Sequence, residues 1–136
     1  MRSWYSCHRR LATWGHYGFG WPGTLGVPSL TPSADPVLCT TIDLSVSNSR
    51  GSATSAFLFV GLAEAWTPTI YGGTLLLVPT LILPLPVPAA GLVLATQIPC
   101  NPSLSGVAAY LQVLESDPGA SRDVSFSDGL VLLMGD

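Results

Sequence analysis

The sequence predicts an all-β fold: an antiparallel, jelly-roll-like β-sandwich of about eight short strands, preceded by an extended glycine- and aromatic-rich N-terminal arm. Three observations lead there. Proline and glycine, 12 and 14 of 136 residues, interrupt the chain at short intervals. No stretch carries a clean helical stripe of apolar side chains. Strand-like runs instead recur between turn signals, at the spacing of sandwiches and small barrels.

The elements follow in order. Residues 17–28 hold aromatics between glycines and form the arm. Ile42, Leu44 and Val46 alternate with Asp43, Ser45 and Ser47, the period-two pattern of a strand with one wet face. Residues 57–62 are a continuous apolar run, suited to a strand covered on both sides. Residues 74–78 and 80–85 read as one strand bent at Pro79, or as two. Pro84, Pro86 and Pro88 confine this stretch to a sheet edge, where missing donors face outward. Residues 92–96 form a short strand. Residues 102–106 form one helical turn with Asn101 as its cap and Gly106 as its stop. Residues 107–114 form a strand, and Asp117-Pro-Gly119 a turn. Residues 124–126 and 130–133, separated by Asp128-Gly129, read as a closing hairpin-like pair. Residues 1–13 are expected to be a poorly ordered segment or a truncated start, and 14–136 a single sandwich domain.

Composition then narrows the function. The chain is 48% hydrophobic and 10% charged, with a net charge of -3 and no lysine. So apolar a chain collapses, which excludes disorder. Five scattered arginines make no basic stripe, so a nucleic-acid partner is excluded. Residues 65–114 carry no charged side chain. Pro79, Pro84, Pro86 and Pro88 nonetheless forbid a lipid-exposed helix there, because each removes a backbone donor. No signal peptide is visible.

Chemical motifs are sparse. Gly18-Phe-Gly20-Trp-Pro-Gly23 matches a dinucleotide-binding glycine pattern, but Pro22 and Pro28 forbid the helix that pattern requires. Cys7, His8 and His16 lack the clustering of a zinc site. Cys39 and Cys100 fit a disulfide in an oxidising compartment, or two separate small buried side chains. No serine lies in a nucleophile elbow, and both histidines precede the first clear strand. Glu64 and Glu115, the only glutamates, lie near strand ends, where carboxylates ordinarily meet water. Asp117, Asp123 and Asp128 are weak calcium candidates whose spacing is not that of an EF-hand. Trp14, Tyr17 and Trp21, with Phe19, offer either an aromatic platform for a sugar or a plug for one end of the sandwich.

Residues 17–31, Asn48-Ser-Arg-Gly51 followed by residues 57–62, residues 72–79, residues 98–112 and residues 124–130 together form a further pattern. It resembles an uncharacterised β-rich domain of secreted bacterial proteins, often C-terminal in larger extracellular chains. The resemblance spans roughly residues 14–135. It implies an extracytoplasmic all-β domain and transfers no catalytic motif.

The function expected from these readings is a non-enzymatic extracellular structural or interaction domain without a cofactor. It acts through contact with other protein surfaces or with itself. Leu81, Leu83, Leu85 and Val87 are the interface candidates, with half of them expected to face away from the core. The alternatives are a glycan-binding module built on Trp14, Tyr17 and Trp21, and a hydrolase.

Overall fold

In the computed structural model, residues 11–136 are described, so the expectations for Cys7, His8 and the first ten residues fall outside the described residues. Nine strands are present among them: β1 (Thr13–Tyr17), β2 (Leu30–Pro32), β3 (Thr41–Val46), β4 (Thr54–Pro68), β5 (Thr74–Val87), β6 (Leu92–Gln97), β7 (Ala108–Ser116), β8 (Val124–Phe126) and β9 (Gly129–Leu133). Among the described residues one 3-10 turn, Pro102–Leu104, is capped by the Asn101 side chain. The larger sheet has the order β1-β9-β7-β4-β5, with β8 also paired to β7, and the smaller has the order β2-β3-β6. All named strand pairs are antiparallel.

The two inner faces make one core. On the small sheet Ile42, Leu44 and Val46 are buried while Thr41, Asp43 and Ser45 are exposed, as their alternation requires. Opposite them stand Ala56 and Leu58 of β4, Leu85 and Val87 of β5, Leu111 and Val113 of β7, and Leu130 and Leu132 of β9. Fully burying one such leucine or valine contributes about 1.5–3 kcal/mol. The sheets are therefore held mainly by this apolar layer. Cys39 and Cys100 are disulfide-bonded, with Cα atoms 4.4 Å apart, and close the end where β3 begins and β6 finishes.

Two strands differ from the sequence expectation. Residues 13–17, which the sequence assigned to no strand, form an edge strand on β9. The pair expected around Asp128-Gly129 is not a hairpin. β8 and β9 both pair with β7, along Leu114–Ser116 and Ala108–Leu111 respectively. They form one interrupted strand, in which Ser127 fills the gap by accepting the Val113 N–H through its hydroxyl at 2.9 Å. Asp128 is thereby freed to accept the Gly20 N–H at 2.7 Å.

The β4–β5 hairpin outgrows the sheet. Its register shifts at Gly61, Glu64 and Thr67. At Gly61 a Cβ would run into the Val78 carbonyl, so only glycine permits this bulge. Beyond it the hairpin bends over the outer face of the large sheet. There the buried Gln112 amide accepts the Leu76 N–H at 3.0 Å and donates to the Thr74 and Ser127 carbonyls at 3.1 and 3.0 Å. Leu76 and Leu77 of this flap and Phe126 of β8 are fully buried.

Candidate functional site

The glycine-rich arm is tied down by a buried polar cluster. Asp117, at the end of β7, accepts the Thr24 N–H at 2.9 Å, the Thr24 hydroxyl at 2.7 Å, the Ser49 hydroxyl at 2.7 Å and the Gly119 N–H at 2.8 Å. Ser49 Oγ also lies 2.7 Å from Ser125 Oγ, and the Ser49 N–H donates to Glu115 Oε1 at 2.8 Å. Gly23 lies so close that a Cβ would strike the Asp117 carboxylate. Three distant segments thus meet on one carboxylate.

The two acids respond oppositely. Burial alone would push the Asp117 carboxyl up, but the hydrogen bonds from Thr24, Ser49 and Gly119 outweigh it and hold the carboxyl below the aspartate range. Burial pushes Glu115 up, only partly offset by the bonds from Ser49, and the neighbouring Asp117 charge adds to the rise. Glu115 Oε2 has no partner among the described residues. Glu115 is thus fully buried and does not meet water as its place near a strand end suggested.

The aromatic candidates do not make a platform. Trp14 pairs across from Leu132 and Tyr17 from Gly129, so the two side chains leave β1 on opposite faces. Trp14 meets His16 edge-on, and His16 Nε2 lies 2.7 Å from the Leu30 carbonyl. Tyr17 packs edge-on against Trp66 and Tyr110 and donates its hydroxyl to the Leu76 carbonyl. Trp21 pairs through its backbone with Phe126, and its ring lies against Gly72. Tyr17 and Trp21 both pack on the flap.

Burial, then Glu64 and Tyr110, push the Tyr17 phenol up to about 12. Its raised folded-state value means that the protonated donor contributes stability below pH 10 and loses it as pH rises through about 12. Tyr17→Phe should therefore cost about 1 kcal/mol, leaving the Leu76 carbonyl without its donor. Ultraviolet titration of the folded protein should show one phenol fewer ionising late in the variant. An identical titration curve would refute the assignment.

The interface candidates need correction. Leu81, Leu83, Leu85 and Val87 are spaced by two, so they share one face and do not divide between two. Leu85 and Val87 lie in the core and Leu83 packs against it, while Leu81 is half exposed. The outward positions are the alternate ones: Ile82, Pro84 and Pro86, which stand across from Phe59, Phe57 and Ser55. β5 is indeed the edge of the large sheet. Beside it, Phe57, Phe59, Tyr71, Leu114 and Val124, with Ser55, Ser116 and the buried Glu115 also in the wall, line a mainly apolar groove of about 310 Å³ on the outer face. Phe57 is 50% and Ile82 48% exposed. Sequence parity alone could have identified Ile82; the groove needed the paired register of β4 and β7.

Asp117, Asp123 and Asp128 do not converge. Asp117 is occupied by four protein donors and Asp128 by Gly20, and no cluster of three or more metal-ligating side chains occurs among the described residues. No helix among them is long and apolar enough to cross a membrane. Comparison with protein-family models, with curated proteins and with solved structures finds no match.

Proposed function

We propose that this chain is a non-catalytic interaction domain that works outside the reducing cytosol and associates with a second copy of itself. The observation that carries the reading is the outer face of the β4–β5 hairpin. Exposed Ile82 stands beside the apolar groove, which the exposed Phe57 helps to line, on the same face. A knob next to a hole on one surface is what a two-fold, self-complementary contact requires. The one acidic residue in the groove wall, Glu115, is buried and bonded to Ser49, so the exposed part of the surface is apolar, and exposed apolar patches of this kind mark association surfaces.

Prolines at 79, 84 and 86 lie on the edge strand and leave it short of backbone donors. Association therefore proceeds by side-chain packing and stops at a closed pair instead of extending an open ladder. The Cys39–Cys100 disulfide supports an oxidising compartment. Sedimentation of the purified chain should show a dimer that Ile82→Lys converts to a folded monomer, weakening association at least tenfold. Leu85→Lys, which buries its charge in the core, should unfold the protein instead. A wild-type chain that remains monomeric at millimolar concentration rejects the proposal.

A further inference from the structure

A second apolar space lies inside the sandwich and is independent of the outer groove. The three-stranded sheet is narrower than the sheet it covers. Where β6 faces β4 and β5, the two sheets leave a cavity of about 460 Å³, open at one side. It reaches inward to Leu44, Leu111 and Leu132 and outward to the half-exposed Leu81. Thr96, across from buried Ile42, is the polar side chain on its inward face, whereas Gln97, across from exposed Thr41, points to the outer face; no ionisable side chain lines the cavity among the described residues.

Protein interiors are close-packed, with few voids larger than a water molecule. Water gains little here, because an ordered water needs two to four polar partners. The volume falls in the range of about 300–1,000 Å³ typical of small-molecule pockets, which likewise combine apolar walls with few polar groups.

We infer that this inter-sheet cavity is a binding site for a small molecule with one unbranched aliphatic chain and an uncharged hydrogen-bonding head. The walls decide the class. An inserted peptide would carry backbone N–H and C=O groups, each needing a partner when buried. The Thr96 hydroxyl, which donates to the Leu94 carbonyl at 3.2 Å, cannot serve a whole segment, but it can accept a hydrogen bond from one head group. An aliphatic chain brings no such demand and gains from every methylene buried. A charged head finds no counter-ion among the lining residues.

Dodecan-1-ol is the probe. Isothermal titration of the full chain should give saturable binding, one molecule per chain, and intermolecular NOEs should connect the dodecanol methylenes to the methyl groups of Leu44, Leu111 and Leu132. Ala109→Phe fills the cavity from β7 and should weaken binding at least tenfold. Ile82→Lys, on the other face of the sheet, should leave it unchanged, which separates this site from self-association. NOEs confined to the outer groove, or no saturable binding by the wild-type chain, would overturn the inference. The NOE measurement decides the matter on the wild-type chain even if Ala109→Phe fails to fold.

Discussion

Replacing Cys100 by serine, in a Cys7→Ser background that prevents thiol exchange, should lower the unfolding free energy by about 4 kcal/mol. The bond joins residues 61 apart in sequence, so the loop it closes contains β3 to β6. In the chain-entropy account, closing a loop of that length restricts the unfolded ensemble far more than the folded one. Domains of this size are typically stable by only about 5–15 kcal/mol, so the loss is a large fraction of the total. Calorimetry of the oxidised and the reduced, alkylated chain should differ by roughly 10–15 °C in Tm.

The position of the bond adds a local reason. β3 and β6 belong to a sheet of only three strands, whose far end is held by the Cys39 N–H to Ile98 carbonyl bond at 3.1 Å and the Ile98 N–H to Thr40 carbonyl bond at 2.8 Å. With the disulfide gone, that end should fray first. Hydrogen exchange at Cys39 and Ile98 should then accelerate more than at Val113, which lies in the centre of the large sheet. Equal Tm values with and without the bond would defeat the prediction.

The all-β class was legible because its causes are local. Alternation at Ile42, Leu44 and Val46 fixes one buried face within six residues, and the Asn101 cap and the edge prolines act on their own neighbours. The misreadings arose where the outcome depends on a distant partner. Asp128-Gly129 has the composition of a turn, yet β7 draws both flanking segments along the same edge, so the dipeptide spans a break in one strand. Residues 13–17 are a strand only because β9 offers an unpaired edge. Gln112 sits in an apolar run with nothing local to mark it as the clamp for the flap, since its partners, Leu76 and Thr74, arrive from 36 and 38 residues away. The outer groove needs the β4–β7 register, and the inner cavity needs the unequal widths of two sheets. Asp117, Asp123 and Asp128, and likewise Trp14 and Tyr17, are not brought to a common point for a related reason: proximity in sequence does not aim side chains together.

Asp117→Ala should cost about 3 kcal/mol or more at neutral pH, because it leaves the Thr24 and Gly119 N–H groups without their acceptor and disconnects the arm from β7. The Thr24 and Ser49 hydroxyls can turn to other partners; the two backbone donors cannot. The same cluster sets the pH dependence, and its two acids pull in opposite directions. Asp117 is held below the ordinary aspartate value of about 3.9, so its contribution is fully present above that value and is lost as pH falls through the lowered folded-state value. Glu115 is raised by burial, so its contribution is fully present below the ordinary glutamate value of about 4.3 and is lost as pH rises through the raised one. From these two groups, stability should be greatest near pH 4–5, falling both in stronger acid and toward neutrality. Glu115→Gln keeps an acceptor for the Ser49 N–H while removing the charge beside Asp117. It should raise stability at pH 7 and abolish the neutral-side decline, leaving the acid-side loss in place. Asp117→Ala should do the reverse, flattening the acid limb. Chemical denaturation of the three proteins from pH 3 to pH 8 distinguishes the assignments, and a Glu115→Gln variant less stable than wild type at pH 7 would show that the buried carboxylate is stabilising in its charged form.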